Sequence, residues 1–301
     1  ALKAGTYTIN NNAANTFVLG QVGGNFQSYN QALAAMSCGI TGAVVFNVDA
    51  ASGPYNEQLI FADSIWGSSP SKTITFNGNG TTIKFSSANT NERAVIKLKK
   101  ADYIIFDSLV IDSRGTNTYG YGIQLINNAD YNIVRNCTIY ASDNTTSTSY
   151  AGVVINSADA NATTLGNTFC DANTFINNNI IGGYYGVTLV GSATATQYIT
   201  GNKFINNRIS EFYNYGFYIG GTINTVIEKN SISRPTRTML SNAYGIYLTG
   251  APNSSLVISK NRIFNLFGGL PASTLSSWGI YHNSVSSASG LENIVSNNLI
   301  W

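Results

Sequence analysis

A glycine followed by alternating apolar residues recurs along this chain at intervals of about 30 residues, and this repeat limits the possible folds more than any other feature. An alternation with a period of two residues predicts a β-strand. Repeats of this length are typical of solenoids, in which each repeat packs only on its neighbours. The copies occupy residues 121–125, 151–155, 185–189, 215–219, 244–248 and 278–282.

A second repeat lies between the copies of the first. It consists of an apolar residue, an asparagine three positions later and an isoleucine two positions after that. Two earlier coils keep the frame but carry Leu109 and Cys137 in place of the asparagine. We expect the asparagines at a bend between strands, because asparagine tolerates left-handed backbone angles, with inward side chains bonded amide to amide. These residues are Asn178, Asn207, Asn230, Asn261 and Asn298.

Two strand units per repeat, always in the same order, predict an all-β chain folded as a right-handed parallel β-helix. Hairpins cannot join such copies, so each copy stacks in parallel on the one before, about 4.8 Å away. The inward side chains then form apolar columns, and the stack as a whole is the unit of stability. One column contains Ile123, Val153, Val187, Phe217, Ile246 and Ile280, and the next contains Leu125, Ile155, Leu189, Ile219 and Leu248.

The beginning of the chain departs from the repeat. Residues 1–25 read as an N-terminal extension, 26–40 as a capping helix, and 41–301 as the β-helix, which we expect to be truncated at its C-terminal end. Ser28 and Gln31 match a capping box and Gly39 matches a helix end. We predict a helix of about three turns near 28–38 that covers the first coil with Leu33 and Met36 buried.

Composition excludes several classes of function. Charged residues make up 10% of the chain and the net charge is +2, so no basic field is available to hold nucleic acid. No apolar run approaches the roughly 20 residues that a membrane-spanning helix needs, so we expect no membrane insertion. Cys38, Cys137 and Cys170 show no metal spacing and no disulfide framework. We expect no metal and no cofactor.

The opening of the chain resembles that of pectin-lyase-like β-helix proteins, through residues 26–33, 45–48 and 53–58. More narrowly, the Gly-Thr-Tyr-Thr-Ile segment at 5–9 is similar to the N-terminal region of large secreted proteins that bacteria export through the type nine secretion system. The resemblance implies an extracellular or cell-surface location and the secretion machinery as a partner. The β-helix family includes polysaccharide lyases, pectin esterases and glycoside hydrolases, so it also makes polysaccharide the expected substrate class.

We predict no catalytic residues. A glycosidase needs two carboxyl groups that face one bond, and a calcium-assisted lyase needs several oxygen ligands and a base. The Asn-Thr-Asp and Gly-His-Gly motifs of the family's hydrolases do not occur, and the only histidine is His282. Asp107 and Arg135 share one register and are expected to form a surface ion pair. None of the outward residues of the glycine-headed strands is a carboxylate: Gln124, Val154, Thr188, Tyr218, Tyr247 and Tyr281.

The tyrosines are the better signal of function. Tyr218, Tyr247 and Tyr281 should form an outward row at the spacing of the coils, and aromatic rows bind sugar rings. The alternative is ordinary cross-strand stacking that stabilises the sheet. Arg234 and Arg237 lie in a long loop at 234–242 that could flank the row together with the loop 264–277; the alternative for both arginines is solvated loop charge.

The sequence therefore favours a non-catalytic extracellular or cell-surface module of a larger secreted protein, which acts as a stalk, an adhesive surface or a face that binds a polysaccharide or surface glycan. One alternative is a polysaccharide lyase or glycoside hydrolase with unrecognised catalytic groups. Another is a secretion cargo with no ligand.

Overall fold

The computed structural model describes residues 1–283 and 287–301, and within them the chain winds into a solenoid of parallel strands. Each full coil contributes one short strand to each of three sheets, which we name A, B and C in the order in which a coil visits them. Every pairing between neighbouring coils in these sheets is parallel. The prediction of an all-β, right-handed parallel β-helix is confirmed.

The sheets differ in size within the described residues. Sheet A has eleven strands, at Asn25–Phe26, Gly5–Ile9, Val44–Val48, Ile74–Asn77, Ile104–Asp107, Ile133–Arg135, Thr174–Ile176, Lys203–Ile205, Val226–Glu228, Val257–Ser259 and Ile294–Ser296. Sheet B has eight, at Thr82–Lys84, Val110–Asp112, Thr138–Tyr140, Asn179–Ile181, Arg208–Ser210, Ser231–Ser233, Arg262–Phe264 and Leu299–Ile300. Sheet C has eight, at Leu59–Phe61, Ala94–Lys99, Gly120–Ile126, Tyr150–Ile155, Tyr185–Val190, Tyr215–Gly220, Ala243–Leu248 and Ser277–His282. A minor ladder joins Ile199–Thr200, Thr222–Ile223 and Asn253–Ser254, and a short 3-10 helix spans Ala195–Gln197.

The glycine-headed strands form sheet C, and their inward residues stack as the sequence predicts. Ile123 pairs with Val153, and the column runs on in register to Ile280. The glycine at the head of each strand is required by close packing rather than by unusual backbone angles. A Cβ on Gly186 would lie 2.7 Å from the Gly216 carbonyl oxygen and would collide with Ile209 of sheet B. Sheets B and C can therefore approach closely where the coil turns.

The asparagine ladder at the bend between sheets A and B is confirmed. Asn178 donates from Nδ2 to Oδ1 of Asn207 at 3.0 Å, and the same link joins Asn207 to Asn230, Asn230 to Asn261 and Asn261 to Asn298. The ladder asparagines are not themselves left-handed, so that part of the prediction is wrong. The residue before each one has positive φ: Asn177, Asn206, Lys229, Lys260 and Asn297. The left-handed residue makes the bend, which frees the next side chain to turn inward toward main-chain groups.

A second asparagine ladder, which the sequence reading missed, lies in the turn before sheet A. Asn132 donates from Nδ2 to Oδ1 of Asn173 at 3.1 Å, and Asn173 donates in the same way to Asn202 at 3.2 Å. The three residues occupy one column, yet later coils carry Thr225 and Leu256 at this position. The interruption hides the repeat in the sequence, because two successive coils lack the amide before it returns at Asn293.

The N-terminal end is built into the solenoid. Gly5–Ile9 pairs in parallel with Val44–Val48, so the first 25 residues contribute a strand to sheet A. The helix is shorter than predicted: it spans Tyr29–Ala35. It begins after Ser28, whose Oγ accepts from Gln31 N at 3.1 Å, and Met36 is its C-cap. Met36 is buried as expected, whereas Leu33 is half-buried and packs at the edge of the core. In the described part of the chain, no helix has both the length and the apolar character to span a bilayer.

Candidate functional site

The outer face of sheet C carries a column of tyrosines at the register that the sequence predicts. Tyr218 pairs with Tyr247, and Tyr247 pairs with Tyr281. Their ring centroids are 5.3 and 5.4 Å apart, and the ring planes of the second pair are nearly parallel, at 6°. All three side chains are half-buried. Regular strand spacing and alternation are enough to place them, because side chains two residues apart share one face of a strand.

A second aromatic column, missed in the sequence, runs beside the first. Tyr185, Tyr215, Tyr244 and Trp278 precede the glycines of four successive strands, and consecutive rings stack at 5.5, 5.1 and 4.6 Å. Rings of the two columns meet edge to face; the Tyr215 and Tyr218 planes, for example, lie at 87°. The signal was present, since a tyrosine or tryptophan stands before the glycine in each of these repeats.

Stacking within the columns determines what they present to solvent. A ring that stacks on its neighbour covers part of that neighbour's face, so the columns expose ring edges and hydroxyls more than open faces. Burial raises the pKa of Tyr218 above its ordinary value, and the neighbouring Tyr247 adds a smaller effect in the same direction. Burial likewise raises the pKa of Tyr215. Both phenols therefore remain protonated and able to donate hydrogen bonds at physiological pH.

A groove of about 320 Å³ opens over two rings of the outer column. Tyr218 and Tyr247 form its floor, Thr163 and Leu165 stand on one side, and Thr249, Gly250, Ala251 and Asn283 stand on the other. Asn283 donates from Nδ2 to the Tyr247 hydroxyl at 3.2 Å. The prediction that loops 234–242 and 264–277 wall the tyrosine row is wrong for this groove, because its walls come from other loops. Tyr281 continues the column beyond it.

The wall that carries Thr163 and Leu165 belongs to a long loop at 156–168, which folds over the earlier coils of sheet C. Beneath it, Tyr121, Val154, Ala162 and Tyr185 form an apolar cluster outside the solenoid core. Tyr185 is the last strand residue of this cluster, and its ring meets that of Tyr218 edge to face at 5.7 Å. The groove therefore adjoins the cluster that this loop covers.

A buried lysine holds the same loop to the sheet. Lys97 is 1% exposed, and its ammonium lies 2.8 Å from Glu92 Oε2, 2.6 Å from Asp159 Oδ1 and 3.1 Å from Asn91 O. Two carboxylates and a carbonyl oxygen surround this ammonium, so Lys97 anchors the loop to the sheet. The sequence repeats do not predict this contact, because Asp159 lies more than one coil away from Lys97 along the chain.

Arg234 and Arg237, predicted to flank the tyrosine row, are both buried and point elsewhere. The Arg234 guanidinium donates to the carbonyl oxygens of Leu266, Tyr213 and Ser241. Arg237 donates to those of Met239, Glu211 and Thr145. Burial lowers the pKa of Arg234 to about 10, and the positive charge of Arg237 makes a smaller contribution in the same direction. The two arginines are therefore neither solvated loop charges nor contacts of the tyrosine row. Their guanidinium groups hold the backbones of several loops together.

A column of three carboxylates lies in the turn between sheets C and A. Asp102 Oδ1 accepts from Asp130 N at 2.8 Å, and Asp130 Oδ1 accepts from Asp171 N at 2.7 Å. Burial and the charges of its two neighbours raise the pKa of Asp130 to about 7, against one opposing hydrogen bond. The adjacent Tyr103 and Tyr131 rings stack at 5.1 Å. Across residues 1–283 and 287–301, no three metal-ligating side chains cluster as a metal site would require.

One other predicted feature is confirmed. Arg135 Nε lies 2.7 Å from Asp107 Oδ2, so the expected surface ion pair is confirmed. His282 follows Leu248 in register and is exposed on the last coil of sheet C. Neither reaches the groove.

Comparison with known proteins agrees with this architecture. A family model described as "Right handed beta helix region" matches residues 169–300. No curated protein sequence matches the chain at a significant level.

Several solved structures are similar in fold at low sequence identity. The pectate lyase Pel9A has a TM-score of 0.57 at 15% identity, over 98% of this chain and 78% of its own. The pectin methylesterase PemA from Erwinia chrysanthemi has a TM-score of 0.52 at 12% identity, over 98% and 93%. The Dettilon tailspike protein gp208 has a TM-score of 0.50 at 14% identity over 85% of this chain, which spans only 43% of the tailspike. At these identities the likeness concerns the fold alone, which is the right-handed parallel β-helix.

Proposed function

We propose that this chain is a non-catalytic, extracellular or cell-surface β-helix module that binds a glycan in the groove over Tyr218 and Tyr247. The observation that carries the proposal is the stacked pair of Tyr218 and Tyr247, which lines an open groove and packs against the second aromatic column. The half-buried tyrosine rings supply apolar surface, and their hydroxyls supply hydrogen-bonding groups, which together suit the alternating apolar and hydroxyl surfaces of a sugar. Asn283, Thr249 and Thr163 add further hydrogen-bonding groups at the walls.

The lining of the groove favours a neutral sugar. None of its eight lining residues carries a charge, so no cation is available there to pair with a uronate or sulfate. Aromatic contacts with sugars contribute about 1 kcal/mol each, so two or three of them support only weak binding, near millimolar for a single module. Several copies displayed on one surface would bind more tightly through avidity.

The proposed location rests on two supports. The opening residues resemble those of proteins exported by the type nine secretion system. The proteins of similar fold include a pectate lyase and a pectin methylesterase, which act on polysaccharides according to their names. A stalk role would use the same rigid solenoid, and a cargo without a ligand would leave the groove empty. Both alternatives predict no glycan binding.

A glycan array tests the proposal. The wild-type protein, displayed in multivalent form, should bind neutral glycans, and replacement of Tyr218, Tyr247 and Tyr281 by Ser should abolish that binding while the circular dichroism spectrum stays unchanged. Equal binding by the triple variant would place the glycan site elsewhere. No binding by the wild type would favour the stalk or cargo alternative.

One observation favours the enzymatic alternative. A carboxyl group with a pKa of about 7, as at Asp130, has the property that general acid catalysis at neutral pH requires. Incubation with neutral and acidic polysaccharides would reveal such activity as new reducing or unsaturated ends. Activity that disappears in Asp130→Asn would support a lyase or hydrolase. Absence of products from every polysaccharide tested would support the non-catalytic proposal.

A further inference from the structure

A second groove, of about 490 Å³, lies on the opposite side of the coil from the tyrosine columns, where sheet A bends into sheet B. Three of its lining residues are cationic: Lys229, Lys260 and Arg262. The stacked rings of Phe264 and Trp301, with centroids 4.9 Å apart, stand at one end. The sequence repeats do not predict a binding surface at this position.

The register of sheet B explains the shape of this groove. Ser231 and Arg262 line the groove, and Arg208, which is not among its lining residues, continues the same outward column on the preceding coil. Because coils repeat at about 4.8 Å, the two arginines stand roughly 10 Å apart along the solenoid axis. The short side chain of Ser231 leaves the space between them open.

The bend supplies the other cations. Lys229 and Lys260 are the left-handed residues of two successive turns, with φ of 59° and 56°, and each ladder asparagine after them turns inward. This geometry directs the lysines away from the core, and their side chains are 56% and 54% exposed. The same bend that builds the asparagine ladder therefore lines up positive charge on the surface.

The charges of the groove are only partly compensated. Glu228 is the acid beside it, with Oε1 at 2.8 Å from Lys260 Nζ and 3.6 Å from Lys229 Nζ. In the described part of the chain, Arg208 and Arg262 form no ion pair, and both are exposed. After Asp171 the chain holds seven Lys and Arg and three acids, so this region carries a charge of +4 although the whole chain carries +2.

We infer that this groove binds an acidic polysaccharide, whose carboxylate or sulfate groups would sit between Arg208 and Arg262 over Ser231. A guanidinium binds either oxyanion through paired hydrogen bonds. Duplex DNA carries about one charge per 1.7 Å, far denser than cations two coils apart. A polyuronate, by contrast, carries a single carboxylate on each sugar. The flanking Phe264 and Trp301 rings suit a sugar beside the charged group. The site is distinct from the neutral-sugar groove proposed above.

The test measures retardation of the protein in native gels that contain polygalacturonate, dextran sulfate or uncharged dextran. The wild type should be retarded by at least one polyanion and not by dextran, and salt should weaken the effect. Arg208→Ser combined with Arg262→Ser should weaken the affinity roughly tenfold or more. The polyanion that is bound more tightly identifies the acidic group.

A matched control removes two exposed cations at the other end of the solenoid, Lys3→Ser with Lys72→Ser. Net charge falls equally, so an equal loss of retardation would overturn the inference. A second variant, Ser231→Glu, fills the space between the arginines with a carboxylate and should abolish binding without destabilising the fold. Tyr218→Ser with Tyr247→Ser should leave polyanion binding unchanged. Loss of binding in that variant, or tighter binding to a DNA duplex than to either polysaccharide, would contradict the assignment.

Discussion

Oδ1 of Asn207 accepts two hydrogen bonds from Asn178, one from its main-chain N and one from its Nδ2, both at 3.0 Å. Asn207 also donates from Nδ2 to the Phe175 carbonyl oxygen at 2.9 Å. One side chain thus satisfies three polar groups in the core of the bend. Because unsatisfied buried groups are costly, we expect Asn207→Ala to lower the free energy of unfolding by about 3 kcal/mol, measured by urea denaturation.

The control for this prediction is Asn206→Lys, one residue earlier. Asn206 is exposed and left-handed, and lysine occupies the same position in the next two coils, at Lys229 and Lys260. Its effect should stay within about 0.5 kcal/mol. If Asn207→Ala proves equally mild, the ladder does not stabilise the bend.

The second prediction concerns the close packing of sheets B and C and its contribution to stability. Gly186→Ala places a methyl group against the Gly216 carbonyl oxygen and Ile209, both parts of well-packed coils. Such overpacking should cost roughly 2 kcal/mol, measured as a lower midpoint of urea denaturation. Gly250→Ala is the matched control, because only Asn283 Nδ2, at 3.9 Å, lies near the added methyl group. Equal stability of the two variants would refute the packing argument.

The carboxylate column predicts how stability depends on pH. The pKa of Asp130 is about 7 in the folded chain and about 4 when unfolded, so the folded state binds the extra proton between these values. The contribution of Asp130 to stability should therefore fall as pH rises from about 4 to 7. Asp130→Asn, which stays neutral, should raise the thermal midpoint at pH 8 relative to wild type and have little effect at pH 4.

Asp107→Asn provides a control of opposite sign. Burial opposes ionisation of Asp107, but hydrogen bonds from Asn136, Ser108 and Arg135 outweigh it and hold its pKa below the ordinary value. Its contribution is present above the unfolded pKa and is lost as pH falls, so Asp107→Asn should lower stability at pH 8. A pH profile in which both variants shift the midpoint in the same direction would contradict the assignment.

The contacts of Lys97 lead to a prediction about the mobility of the loop at 156–168, which lines the tyrosine groove. Lys97→Met keeps most of the side-chain volume but leaves the carboxylates of Glu92 and Asp159 without their shared cation. Hydrogen exchange of residues 157–166 should accelerate, while the sheet C strand beneath them stays protected. Lys100→Met, which removes an exposed lysine 4.0 Å from Asp63, should leave loop exchange unchanged. Unchanged exchange in Lys97→Met would show that the apolar cluster alone holds the loop.

The sequence predicts the solenoid well because its repeats are local in the chain. The positions of Ile123, Asn178 and Tyr218 all follow from strand alternation and a constant register. Contacts that depend on loops are not predicted in this way. Lys97 meets Asp159 only after an irregular loop has folded back, and Arg234 finds its carbonyl partners only once the loops are placed.

The candidate site likewise has one part that the sequence predicts and one part that it does not. Its floor, Tyr218 and Tyr247, repeats with the coils and is predictable, whereas its walls, Leu165 and Asn283, belong to loops of variable length. The cationic groove escapes prediction for a related reason. Lys229 and Lys260 read as polar turn residues, and only the left-handed backbone shows that they point outward beside Arg262.

The most direct test of glycan binding in the tyrosine groove is calorimetric titration with neutral hexasaccharides of glucose, xylose and mannose. The wild type should bind at least one of them weakly, near millimolar. Tyr218→Ser with Tyr247→Ser should abolish the heat of binding. Tyr103→Asn with Tyr131→Asn, which removes a stacked tyrosine pair from outside the groove and substitutes a residue that tolerates left-handed φ, should bind as the wild type does. Binding that survives in the groove variant but disappears in the Tyr103 and Tyr131 variant would contradict the assignment.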